Sequence, residues 1–196
     1  GRIVARVLEA IREAARPGVT TAELDALAEH ILAQHNAKPV FKGYTFSEEI
    51  PPFPAAITAS VNEELVHGIP GNRRLQEGDL FTADCGCLYN GFVGDAAITV
   101  GIGTLKPEAQ HLLDVTNQAL AVGIVAAKAG NRIGDVSSAI QRYVEGQGYS
   151  VVRGYGGHGV GRTMHEDPHV PNYGPPNRGT PLRPGMTFAI EPMVLQ

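Results

Sequence analysis

Apolar positions along this chain follow two periods, one helical and one of strands. Ile3, Val7, Leu8 and Ile11 fall on one face of a helix predicted over residues 2–15. Thr20 opens a second helix, and Glu23, three residues on, completes a capping box. Within it Leu24, Leu27, Ala28, Ile31 and Leu32 form the stripe of a helix packed on a core. A long helix is predicted from Pro107 to near Gly130, and another from about Gly134 to Glu145. Period-two and continuous apolar runs place strands at residues 55–61, 79–88, 91–100, 149–153 and 186–194.

The helical pattern repeats. A shift of 112 residues carries Gly18 onto Gly130, Leu24 onto Val136, Ala28 onto Ile140 and Leu32 onto Val144. In both places a helix precedes the glycine and strands follow. The expectation is an α+β fold of two similar halves, each helix–helix–strands, rather than a parallel α/β sheet. The halves cover residues 1–104 and 105–196 of one domain. Gly1 stands where an initiator methionine would, and the chain stops five residues past Glu191, so both ends read as trimmed.

Composition narrows the class. With 43% hydrophobic and 18% charged residues, the 196-residue chain is ordinary for a globular domain. Net charge is −4 and the basic residues are scattered, which points away from nucleic acid and anionic membranes. No apolar run approaches the ~20 residues that span a bilayer. Cys85 and Cys87 are too close for a disulfide framework, and a reducing cytoplasm is expected. The 24 glycines and 14 prolines cluster at residues 42–94 and 153–185, between strand-like runs, and read as shaped loops around a site.

Asn90-Gly91 is a strong signal for a two-residue hairpin turn. Facing residues then have numbers that add to 181, so Asp84 faces Ala97 and Asp95 faces Gly86. Alternation puts both aspartates on one face as diagonal neighbours, about 7–8 Å apart at the backbone. Like charges so placed destabilise a sheet unless a cation lies between them, which favours a metal over two solvated aspartates. A bulge between residues 85 and 95 would break this parity. Cys85 and Cys87 point the other way and read as small core residues rather than a Cys-x-Cys metal clip.

His158 lies among glycines in Gly156-Gly157-His158-Gly159-Val160-Gly161, and His165 follows seven residues on. A histidine in such a loop is commonly an exposed one; the second histidine shifts the reading toward a site. Glu191 interrupts the apolar run Phe188-Ala189-Ile190, where an acid needs a partner to offset desolvation. Pro192 removes a ladder donor, so this strand end is expected to be irregular or at an edge. His67, before Gly68-Ile69-Pro70, suits a ligand, a proton shuttle or a substrate contact. Mixed carboxylate and imidazole donors suit first-row divalent metals, and a metal-activated water makes a hydrolase the expected class.

These motifs resemble the type I methionine aminopeptidases, of the pita-bread fold shared with prolidases and creatinases. The resemblance rests on Asn62 to Pro70, the Asp84/Asp95 spacing of eleven, His158-Gly159-Val160-Gly161 with His165, and Glu191-Pro192-Met193-Val194. It implies a site for two divalent ions (Co, Mn, Fe or Zn) with Asp84, Asp95, His158 and Glu191 as ligands. Glu191 also becomes a proton acceptor from the nucleophilic water, while His67 and His165 contact substrate and the scissile amide. Phe53, Thr58 and Met164 fall near positions lining the methionine pocket, and Thr58 stands where the family often has cysteine. The family's fifth ligand, a glutamate beyond Glu191, lies outside these residues. The implied reaction is removal of N-terminal methionine from peptides and nascent chains with a small second residue, by a cytoplasmic monomer, with the ribosome as a further partner. Prolidase-like cleavage of Xaa-Pro, or peptide binding without catalysis, are the rival readings.

Overall fold

The computed structural model describes residues 1–45 and 50–196. The chain divides into two compact units, residues 1–106 with 162–164, and residues 107–161 with 165–196.

In the first unit, α1 (Arg2–Ala14) and α2 (Thr21–Gln34) precede β1 (Lys38–Pro39), β2 (Ile57–Val61), β3 (Leu80–Tyr89) and β4 (Phe92–Gly101). All pairings are antiparallel, with β3 central: β4 runs along one side of it, β1 and β2 along the other. The helices form where the periodicity places them. Val4, Val7, Leu8 and Ile11 of α1, and Leu24, Ala28 and Leu32 of α2, are buried against Phe81, Ala83, Cys85 and Cys87 of β3. The capping box is present: Glu23 N–H donates to Thr20 Oγ1 at 3.2 Å, and Thr20 N–H donates to Glu23 Oε2 at 2.7 Å. Asp25, on α2, accepts N–H bonds from Ala56 and Ile57 at 2.9 and 3.0 Å, fixing the start of β2. Burial raises its pKa above the ordinary carboxylate value.

In the second unit, α3 (Pro107–Ala126) and α4 (Ile133–Gly146) precede β5 (Ser150–Val151), β6 (Gly156–Gly159), β7 (Glu166–Pro171) and β8 (Val194–Leu195). Ala119, Val136, Ile140, Val144, Val151 and Val170 form its core.

The helical repeat extends to the backbone. Gly18 N–H donates to Leu75 O and Leu75 N–H to Val19 O; Gly130 N–H donates to Leu182 O and Leu182 N–H to Asn131 O. Both glycines have positive φ, 92° and 95°, a conformation that Cβ disfavours. Asp135 Oδ2 accepts from Arg132 N–H at 2.7 Å, as Glu23 does from Thr20. Arginine offers no acceptor in return, so the second cap is half of the first.

Helix extents and the α+β class follow expectation; several strands do not. The strand expected at 149–153 shrinks to Ser150–Val151, and that at 186–194 to Val194–Leu195. Pro192, without an N–H, sits near the end of the stretch lost. Conversely, β6 and β7 form in a stretch read as loops, and β1 where no strand was expected. Three of the four residues in β6 are glycine, so only its pairing partners make it a strand.

Candidate metal and substrate site

The carboxylate pair comes from the β3–β4 hairpin. Asn90 and Gly91 have φ of 50° and 79°, as a type I′ turn requires. The ladder runs without a shift from Tyr89↔Phe92 to Leu80↔Gly101, with Asp84 opposite Ala97 and Gly86 opposite Asp95. The two aspartates are therefore diagonal neighbours on one face, both partly buried. Thr58 pairs with Asp84 across β2 and shares that face. A Cβ built on Gly86 would lie 2.6 Å from Val40 Cγ2 and 3.4 Å from Met164 Sδ. Met164 thus sits over the same face, and glycine at 86 makes room for what packs there.

The opposite face of β3 goes to the core. Cys85 and Cys87 are buried among α1 and α2 residues. Burial drives the Cys85 thiol well above its ordinary range, with the Cys87, Asp84 and Asp95 charges adding to the shift. A thiol so placed stays protonated, which fits packing rather than ligation.

His67 is held by its neighbour. Gly68 N–H donates to Ser60 Oγ at 3.1 Å, and its carbonyl accepts from Ala59 N–H at 2.8 Å. A side chain at 68 would start 2.2 Å from Ala59 O. His67 itself has φ 59°, uncommon for a residue with Cβ, and the clamp on Gly68 holds it there. The ring is exposed overall, yet the covering it does have lowers its pKa, favouring the neutral imidazole. Phe53 is buried, bonded through its backbone to Gly43 and Tyr44.

The second unit supplies an imidazole and a carboxylate by less regular means. β6 pairs with β7 in register from Gly156↔Pro171 to His158↔His169, then slips at Gly159. On the other side of β6, Ala189 N–H donates to His158 O at 2.8 Å and Val160 N–H to Thr187 O at 3.2 Å. A Cβ on Gly157 would lie 2.1 Å from Ala189 O. Ile190 is partly buried against the core of the second unit, and Glu191 follows it directly. Its Oε1 lies 3.3 Å from His158 Nε2.

His158 Nδ1 donates to Gly159 O at 2.9 Å. That bond fixes the tautomer of a neutral ring and turns the Nε2 lone pair toward the Glu191 carboxylate. Two acceptors at this distance are reconciled by a shared cation or by a proton on Nε2. The His165 ring stands edge-on to His158, with centroids 4.3 Å apart. Within the first unit, then, Asp84, Asp95, Thr58 and Met164 share a face; within the second, His158, His165 and Glu191 adjoin. One residue was missed by sequence pattern: Asn172, in a stretch read as loop, is fully buried and its side-chain amide donates to Glu191 O at 2.6 Å.

All 196 residues match the family described as metallopeptidase family M24. This chain belongs to that family. The methionine aminopeptidase of Clostridium acetobutylicum is 52% identical over 195 residues, 99% of this chain and 76% of that protein. The crystal structure of methionine aminopeptidase from Thermotoga maritima has a TM-score of 0.93 at 44% identity, covering 98% of this chain and 75% of that one. The prolidase from Pyrococcus horikoshii has a TM-score of 0.82 at 24% identity, with 97% and 51% covered, a likeness of fold alone. Among M24 metallopeptidases, this chain therefore sits with the methionine aminopeptidases, on the pita-bread fold. The family uses divalent metal, and the donors suit it: diagonal carboxylates in one unit, an imidazole lone pair facing a carboxylate in the other.

Proposed function

We propose that this chain hydrolyses the first peptide bond of peptides and nascent chains that begin with methionine, with preference for a small second residue. The supporting observation is 52% identity over 195 residues to a methionine aminopeptidase. The proposed ligands are Asp84, Asp95, His158 and Glu191, for two divalent ions chosen from Co, Mn, Fe and Zn. When bound, such ions supply Lewis acidity: they lower the pKa of water and polarise a carbonyl.

The residues take the remaining roles. Glu191 accepts the proton of the attacking water, being a carboxylate on an otherwise apolar segment. His165 donates a hydrogen bond to the oxyanion that develops on the scissile carbonyl, where a positioned donor counts most. His67, neutral at physiological pH, positions the residue after the methionine. Thr58 and Met164, over the aspartate face, line the methionine pocket together with Phe53. No described helix is long and apolar enough to cross a membrane. A cytoplasmic monomer meeting chains at the ribosome is the setting we propose.

The test is release of free methionine from a Met-Ala peptide with added Mn²⁺ or Co²⁺. An Xaa-Pro dipeptide is the control. Faster cleavage of the Xaa-Pro substrate would replace this reading with a prolidase-like one. Metal uptake without cleavage of either would leave a binding protein.

A further inference from the structure

The geometry points to Asn172 as a positioning residue for Glu191: its side-chain amide fixes the main chain that carries the carboxylate. This rests on the reading of Glu191 as a metal ligand.

Regular pairing fails where Glu191 lies. Upstream, Ala189 N–H bonds His158 O; downstream, Met193 O accepts from Val152 N–H at 2.9 Å, and β8 begins only at Val194. Pro192 has no N–H with which to continue a ladder between them. Into this gap Asn172, just past the end of β7, sends Nδ2–H to Glu191 O at 2.6 Å. A side chain thus does for Glu191 what a neighbouring strand does for residues on either side.

The arrangement is costly for a residue that only fills space. Asn172 is fully buried, and its Oδ1 has no hydrogen-bond partner among the described residues. A buried acceptor left unanswered carries a desolvation cost that an apolar side chain would not. What the amide offers in return is a fixed Glu191 carbonyl. That matters because Ile190, partly buried against the core, and Glu191, 3.3 Å from His158, are consecutive residues of one segment. A small rotation of this backbone swings the carboxylate off the imidazole. Gly157 closes the other direction, since its hypothetical Cβ would overlap Ala189 O. Interactions that orient a ligand in this way are worth about 10–100-fold in metal affinity.

The experiment uses the chain freed of metal and titrated with Co²⁺, read by calorimetry and by the visible absorption that reports ligand geometry. Asn172→Leu removes the donor while keeping the volume; Asn172→Ala removes donor and volume together. Thermal melts monitor folding. The expected result is a folded Asn172→Leu with a Co²⁺ affinity about 10–100-fold weaker and an altered spectrum. Unchanged affinity and spectrum in either folded variant would overturn the assignment. Unfolding of both would overturn it too, by making Asn172 a requirement of the fold. Failure of the parent chain itself to take up Co²⁺ would remove the ligand reading of Glu191, and this inference with it.

Discussion

The hairpin of the first unit and the β6 region of the second present functional groups by opposite means. Asp84 and Asp95 ride on ten-residue strands in unbroken register. His158 sits on a four-residue strand that slips directly after it, and Glu191 on a segment held by single bonds. The first arrangement is local: one turn sets the register, and alternation does the rest. The second is assembled from stretches far apart in sequence, each with little structure of its own. A ladder resists distortion by many bonds at once, whereas the second arrangement depends on close backbone approach and a few side chains.

Removing a donor from either region tests whether they matter equally. Asp84→Asn and His158→Ala should each cut methionine release from Met-Ala by more than about 100-fold and weaken Mn²⁺ uptake, since ligands outweigh the groups that orient them. Full activity in either variant would confine the metal to the other region's donors. In the metal-free state the two should diverge. Asp84→Asn relieves like-charge repulsion on the hairpin and should stabilise it by roughly 0.5 kcal/mol in urea unfolding, an effect reduced by salt.

Glycine substitutions separate the two kinds of scaffold. Gly157→Ala meets a backbone oxygen that cannot retreat, and should cost about 1–3 kcal/mol in denaturant unfolding. Gly86→Ala meets side chains of Val40, Phe41 and Met164, which can rotate, so its cost should be smaller. Equal losses would mean the hairpin face is as rigid as the β6 backbone.

The helix caps offer a milder contrast. Thr20→Ala removes an acceptor for Glu23 N–H and should cost about 1 kcal/mol. Arg132→Ala, at the matching position of the repeat, has no such acceptor to lose and should cost less. Thermal melts of the pair decide this.

The smallest expected effect is that of His67. Its folded pKa lies below the unfolded value of about 6.5. The unfolded chain therefore takes up the proton first as pH falls. Stability from this group is intact above the unfolded pKa and declines as pH drops through it toward the folded value. His67→Gln should flatten that part of the stability–pH curve. An unchanged curve would mean the covering of the ring is too slight to matter.

The sequence by itself determined the four helices, the repeat of their stripes, and the hairpin with both aspartates on one face. Each follows from a rule of short range: a period of 3.6 or 2, a capping box, an Asn-Gly turn. Cys85 and Cys87 were legible as core residues by the same alternation. Motif wording added the family and marked His158, His165 and Glu191, but not their arrangement. Only tertiary structure decided that Gly156–Gly159 is a strand, that 186–193 is not, and that Asn172 holds the backbone at Glu191. Glycine-rich stretches carry no period to read. Their conformation comes from partners some thirty residues away in sequence, such as Ala189 on His158, and such pairings become definite only when the chain is folded.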